Sequence, residues 1–283
     1  MTTAVVQPGA EVDPSAEIGE DVVIESGVYV GPRCVIGAGT RIRRRAMILQ
    51  DTTIGARNDI HSFAVIGGDP QDKKFKSGES ATLIVGDGNV FREHVTLNRG
   101  SGAQPTTIGN GCFFMASAHA GHNAVVGDNV ILANSAVIAG HARVGDGCFM
   151  SAGSMVHQFC DVGEMVMFQG GTAISQHVPP FAMVCGVNEV AGLNRVGLQR
   201  SGRFDAAERA ELKEAFRLFY RDREMRSFSS ALEEAQSREW SGAAARRFID
   251  FIAARLNESP PRVRGLCGPS RRGGFRAAAS AAT

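Results

Sequence analysis

Aromatic residues are scarce in this 283-residue chain, at 7% with one Trp and two Tyr. A core without large rings, drawn from Val, Ile, Ala and 34 Gly, points away from a conventional packed globule and toward thin, regularly repeated layers. Hydrophobic content of 43% is still enough for a substantial core, in one large domain or two ordinary ones. The six cysteines, Cys34, Cys112, Cys148, Cys160, Cys185 and Cys267, show no C-x-x-C and no paired spacing, which indicates neither a zinc ribbon nor a disulfide framework. A reducing compartment is the simpler reading. No apolar run reaches bilayer length, and the N-terminus lacks a charged segment followed by an apolar one. A soluble, cytoplasmic protein without a transmembrane segment is expected, and no nucleic-acid partner.

The net charge of +1 conceals an asymmetry. Residues 1–194 carry 12 Lys/Arg against 18 Asp/Glu, whereas residues 195–283 carry 18 against 11. Such a basic end serves either a solvated helical face or an anionic partner.

What the chain does have is a period of six. Val6, Val12, Ile18, Ile24, Val30, Ile36, Ile42, Ile48, Ile54, Ile60 and Ile66 occupy eleven consecutive hexad positions. The phase slips, resumes at Val85, Phe91 and Leu97, slips again, and returns for Ile108, Phe114, Ala120, Val126, Leu132, Ile138, Val144, Met150, Val156, Val162, Phe168 and Ile174. Ala120 alone is too small to fill a core position. Glycine follows many of these aliphatics, as in Ile18-Gly19, Ile36-Gly37 and Val126-Gly127, and suits a sharp corner by its backbone freedom. Six residues per repeat match neither an α-helix nor an isolated alternating strand, but they suit a parallel β-helix in which each short strand supplies one inward residue. Three hexads make one triangular coil, so 26 hexads give between eight and nine coils, spaced at about 4.8 Å.

Residues 67–84 and 98–107 break phase and are expected to leave the coil as loops. From Asp205 the period becomes helical, with Asp205 as cap and Leu212, Ala215, Phe216, Phe219 and Tyr220 on one face. A second helix is expected from Ser230, capped reciprocally with Glu233, and a third carries Phe248, Ile249, Ile252 and Leu256. This reading gives a β-helix over 1–194, a helical domain over 195–258, and a basic tail over 259–283, rich in Pro, Gly, Ala and Arg, expected to be disordered.

Several segments together resemble a known family: Gly-Gly-Asp-Pro-Gln-Asp72-Lys-Lys74-Phe, Val-Thr-Leu-Asn98-Arg99-Gly, His119-Ala-Gly-His122, Ala-Gly140-His141, Val-His157-Gln158-Phe, Val-Pro-Pro, and Leu-Asn194-Arg-Val-Gly-Leu-Gln-Arg200-Ser-Gly. In this order, over residues 1 to 256, they resemble the acyl carrier protein-dependent UDP-N-acetylglucosamine O-acyltransferases of lipid A biosynthesis, members of the hexapeptide-repeat acyltransferases. The resemblance implies a mainly β chain folded as a left-handed parallel β-helix, against the usual right-handed crossover, with a C-terminal α-helical domain. It further implies a homotrimer with active sites between subunits, an acyl chain moved from acyl carrier protein to the sugar 3-hydroxyl, and no cofactor or metal.

His122 is then the candidate general base, because a neutral imidazole can take the proton of a weakly nucleophilic hydroxyl as it attacks the thioester. Asn123 follows it where the family commonly has Asp. An amide still accepts a hydrogen bond from the ring but brings no negative charge to the imidazolium. Slower catalysis, a substitute carboxylate and binding without turnover are the consequences to weigh. Gly140, one coil later, matches the backbone oxyanion donor. The resemblance assigns substrate contacts to Asp72, Lys74 and Asn98, to His119, His141 and His157, to Gln158 and Gly170 along the acyl groove, and to Asn194 and Arg200 at the nucleotide. Ser201 stands where a second Arg is common, and His also occurs at the position of Asn98. The histidine separations, near one and two coils from His122, suggest that these side chains stack. Alternatives remain at this point: a nucleotide-amino-sugar N-acyltransferase, a catalytically weakened binding homologue, and a zinc enzyme of the β-helical carbonic anhydrase type using His119, His122 and His141.

Overall fold

A computed structural model describes residues 3–76, 78–221, 227–260 and 262–270. Its coil has three parallel walls. The first runs from Val5–Val6 through Asp59–Ile60 and Phe113–Phe114 to Met167–Phe168. The second runs from Glu11–Val12 through His119–Ala120 to Ala173–Ile174, and the third from Glu17–Ile18 to Asp161–Val162. With nine strands in the second wall, the coil has the height the hexad count implies.

Most strands are only two residues long, and the hexad residue is the second, buried one. Register is therefore hexad on hexad, as in Leu97, Ala120, Ile138, Val156 and Ile174 up the second wall. Ala120 shares its coil with Phe114, whose ring packs 5.2 Å from that of Phe91. The small residue offsets the large one, as close packing requires.

The glycines that follow the third wall have a reason other than the one expected. Gly37 and Gly127 do not adopt positive φ; instead they stack without clearance, and a Cβ on Gly37 would lie 2.4 Å from the Gly55 carbonyl carbon. The left-handed corner falls elsewhere and tolerates side chains, as at Asn123 (φ 58°), His141 (φ 60°) and Phe159 (φ 64°).

Both excursions are narrower than their sequence suggested. Val65–Gly68 stays in the second wall, and Ala81–Val85 rejoins the third with Leu83 and Val85 buried, so the first loop spans 69–80. Alternating apolar residues in Ala-Thr-Leu-Ile-Val lengthen a hexad strand instead of breaking it. Gly100–Ser101 pairs antiparallel with Ala81–Thr82, tying the second excursion to the first.

Beyond Pro180, Ala182–Cys185 and Glu189–Leu193 form an antiparallel hairpin on the first wall. Four helices follow among the described residues: α1 (Arg195–Arg200), α2 (Ala206–Tyr220), α3 (Phe228–Gln236) and α4 (Ala243–Leu256). Asp205 and Glu208 make the reciprocal cap of α2. The cap of α3 is Ser227, not Ser230; its hydroxyl accepts the Ser230 N–H at 3.1 Å. Phe216, Phe219, Tyr220 and Phe248 make the small helical core.

The expected disorder of the tail is overturned for residues 262–270. Gly268–Pro269 pairs with Glu189–Val190, and Leu266 bridges to His177. Leu266 and Cys267 are buried, and Tyr220 donates its hydroxyl to the Cys267 carbonyl at 3.1 Å. Composition misleads here because an exposed strand edge supplies the missing partners. Residue 261 and residues 271–283 lie outside the described part. Among the described residues, no helix is long and apolar enough to cross a membrane.

Candidate active site

The corner after the second wall gathers the histidines. Register aligns Gly121, Ala139 and His157 as one ladder, His122, Gly140 and Gln158 as the next, and Asn123, His141 and Phe159 as a third, whereas the shorter last turn sets His177 opposite Asp161. His141 thus stands over Asn123, not over His122, and His157 is one place off. The rings of His122 and His141 nonetheless meet edge to face, with centroids 5.0 Å apart, and His141 stacks on Phe159 at 4.8 Å.

His122 is buried, 9% exposed, and its imidazole lies over Gly140. A Cβ on Gly140 would come within 2.6 Å of His122 Nε2 and 2.9 Å of Cε1, so only glycine leaves the ring its place. No acceptor among the described residues takes the Gly140 N–H; at the equivalent place on another corner, Asp146 Oδ1 holds the Asp128 N–H at 2.9 Å. An unpaired N–H beside a buried imidazole is what oxyanion stabilisation requires.

Asn123 Oδ1 sits 2.9 Å from His122 Nδ1 and accepts the Ser101 N–H at 3.2 Å. Its Nδ2 donates to the carbonyls of Ser101 at 3.0 Å and Gln104 at 2.5 Å. The amide cannot be reversed, since that would aim oxygen at two carbonyls and NH2 at an N–H. Oδ1 therefore faces His122, Nδ1 carries the ring proton, and Nε2 has the free lone pair. Thr106 Oγ1, wholly buried, takes the Asn123 N–H at 2.7 Å.

His119, outward on the same strand, has Nδ1 2.7 Å from Thr96 Oγ1. Burial holds its pKa below the ordinary value, and nearby His122 adds to this. His141 is lowered likewise by burial, then by His122 and Arg262, while Asp72 acts in the opposite sense. The 69–80 loop thus brings Asp72 within electrostatic reach of the histidines. In that loop Asp72 Oδ1 accepts the Lys74 N–H at 2.9 Å, which leaves the Lys74 side chain exposed. Asn98 is buried, donates to the Asp69 carbonyl at 2.8 Å, and has an Oδ1 without partner among the described residues.

Other expected residues lie apart. His157 and Gln158 are exposed on the same corner, whereas Gly170 follows the first wall and so occupies a different corner of the triangle. Asn194 caps α1 by accepting the Gly197 N–H at 3.0 Å and donates to the Met165 carbonyl at 2.9 Å, so its amide serves the fold. Arg200 is exposed on the last turn of α1. Sequence reasoning missed Thr106 and the backbone of Ser101 and Gln104, none of which belongs to a motif, and gave no role to Phe159, although it closes the segment Val-His157-Gln158-Phe. Burial pushes the Cys112 thiol up to about 11 and those of Cys148 and Cys160 up to about 12, which holds these three neutral.

Comparison with known proteins decides the family. The model described as UDP-N-acetylglucosamine O-acyltransferase, domain 2, matches residues 177–267, and the bacterial transferase hexapeptide model matches residues 105–140. A third, described as the GMPPB C-terminal domain, matches residues 6–101 within the coil. An acyl-[acyl-carrier-protein]–UDP-N-acetylglucosamine O-acyltransferase of Syntrophobacter fumaroxidans is 46% identical over 220 residues, 76% of this chain and 84% of the relative. The chain belongs to the UDP-N-acetylglucosamine O-acyltransferase family. The solved acyltransferase of Bacteroides fragilis superposes with a TM-score of 0.84 at 36% identity, covering 93% of this chain and 99% of that one. That of Campylobacter jejuni gives 0.83 at 33%, covering 94% and 100%. The fold of this acyltransferase is accordingly a left-handed parallel β-helix with a C-terminal helical domain.

Proposed function

We propose that this acyltransferase moves a 3-hydroxyacyl chain from acyl carrier protein to the 3-hydroxyl of UDP-N-acetylglucosamine in the cytoplasm, as the first step of lipid A biosynthesis. The observation that carries the mechanism is His122 lying over Gly140 with Nδ1 held by Asn123. His122 Nε2 takes the proton of the sugar hydroxyl as its oxygen attacks the thioester carbonyl. The Gly140 N–H donates to the resulting oxyanion. Collapse of the tetrahedral intermediate expels the carrier thiolate, which takes the proton back from the imidazolium. Asn123 orients the ring throughout without supplying charge.

Substrate contacts follow from the same corner. Lys74 and Asp72 reach the sugar from the 69–80 loop, and His119, His141 and His157 line the wall. The unpartnered Asn98 Oδ1 is a buried acceptor that a ligand donor or a partner subunit would satisfy. Arg200 meets the diphosphate, to which a guanidinium fork is suited. Asn194 contributes to nucleotide binding through the position it gives α1. Gln158 and Gly170 line the acyl groove, and the basic C-terminal end steers the acidic carrier protein.

The active unit is a homotrimer with sites between subunits. Two features support this: Gly170 and His122 occupy different corners of one chain, and the first wall presents Phe113, Ile131, Phe149 and Met167 outward as an apolar ladder. Such a ladder on a sheet face is suited to a neighbouring copy. Incubating the purified protein with UDP-N-acetylglucosamine and 3-hydroxyacyl carrier protein tests the assignment. Product should form, and light scattering should give three chains per particle. Exclusive use of a 3-amino sugar would move the reading to N-acyl transfer.

A further inference from the structure

The ligand-type side chains of Asp161, His177 and Glu258, with donor atoms all within 4.8 Å of one another, form a second buried cluster beside the site. Its spacing resembles a metal centre, yet arginines already pair with its carboxylates, although Asp161 Oδ2 and Glu258 Oε2 have no partner of hydrogen-bond geometry among the described residues. Asp161 is paired with Arg262 at 2.9 Å and with Arg255 at 3.0 Å, and Glu258 with Arg255 at 2.8 Å. His177 Nδ1 accepts the Asp161 N–H at 3.0 Å, while Nε2 lies 2.8 Å from the Arg262 carbonyl and 2.7 Å from Glu258 Oε2. Two guanidiniums occupy the place a cation would take. The cluster ties down the strap 262–270, whose backbone also bonds His177 on both sides through Gly265 and Cys267.

The strap does more than fasten the chain end. The second nitrogen of Arg262, Nη2, donates to the His141 carbonyl at 2.9 Å. His141 N–H in turn donates to the His122 carbonyl at 2.9 Å. Two residues on, the Arg264 guanidinium lies 5.6 Å from the centre of the Phe159 ring on which His141 stacks. We propose that the strap is part of the acyl-transfer site and that Arg262 is a positioning residue: Asp161 holds one edge of its guanidinium, and the other edge fixes His141 edge-on to His122. A planar fork with fixed donors suits this bridge between a buried carboxylate and a carbonyl. The lowered pKa of His141, to which Arg262 contributes, is in keeping with this geometry.

The consequence for the reaction rests on His141 contacting substrate, as proposed above. In full-length Arg262→Ala, KM for UDP-N-acetylglucosamine should rise about tenfold while kcat changes less, the signature of lost binding, not lost chemistry. The His141 ring resonances, assigned in a histidine-labelled sample through His141→Gln, should shift in Arg262→Ala, and those of exposed His157 should stay. Arg262→Lys, which keeps charge but loses the fork, should fall between. Should Arg262→Ala fail to fold, Arg262→Lys carries the same two readouts. A folded variant with unchanged KM and an unmoved His141 resonance would overturn the proposal. The resonance is read without turnover, so it tests the strap even if the sugar nucleotide proves not to be the substrate.

Discussion

His122 Nδ1 lies 2.9 Å from Asn123 Oδ1, and both hydrogens of the Asn123 amide are held by carbonyls of the 99–105 loop. The absence of a carboxylate next to His122 is therefore matched by this chain's own surroundings. A carboxylate at this position would turn an oxygen toward the carbonyls of Ser101 and Gln104, with no proton between.

Asn123→Asp should thus destabilise the protein by about 1–3 kcal/mol, the usual cost of a buried polar group set against the wrong partner. Urea unfolding measures this. Acyl transfer should fall as well, because displacing the loop loosens the group that orients His122. Faster turnover at unchanged stability would mean that the loop adapts and that the missing charge limits the native protein.

Gly140→Ala keeps the backbone N–H but displaces the base, and should lower kcat by about 10²–10³-fold, within the range for a lost general base, with little change in the rest of the coil. Its methyl would contact His122 Nε2 at 2.6 Å and must push the ring aside. Single-turnover rates separate this from a defect in substrate binding.

Stability should decline on mild acidification. His119 and His141 both have pKa values below the ordinary 6.5, chiefly through burial. The unfolded chain then binds protons at these rings at a higher pH than the folded chain does. Their contribution is fully present above pH 6.5 and is lost as pH falls below it toward the folded values. Urea midpoints at about pH 7.5 and about pH 5 should differ, and replacing both histidines by Gln should reduce the difference.

Gly170→Leu should shift acyl preference toward shorter chains while leaving the melting temperature nearly unchanged. A Cβ at Gly170 meets nothing nearer than the Ala152 carbonyl at 3.7 Å, so its own chain tolerates it. Competition between carrier thioesters of different chain length gives the readout.

The coil was legible because its determinant is local: one inward residue in six, repeated with few slips. His122 stood out by the same logic, as a polar residue in an apolar ruling, and Asp205 by a cap three residues from its partner. Ser227 was missed because serines at 227, 229 and 230 leave the cap register undetermined by pattern alone. The glycines were correctly placed but for the wrong reason, since stacking clearance depends on the neighbouring coil and not on the residue's own φ. Arg262 was illegible, as its partners Asp161 and His141 lie 101 and 121 residues away. No periodicity spans such a distance, and a stretch rich in Pro, Gly and Arg reads as a tail until an edge strand is found beside it.

The most direct measurement is acyl transfer to UDP-N-acetylglucosamine by the purified protein and by His122→Ala. With His122 Nε2 as the base, the native protein turns over and the variant loses about 10²–10⁴-fold in kcat while keeping its fold. Full activity in His122→Ala, or no turnover by the native protein with any acyl carrier thioester, would contradict it.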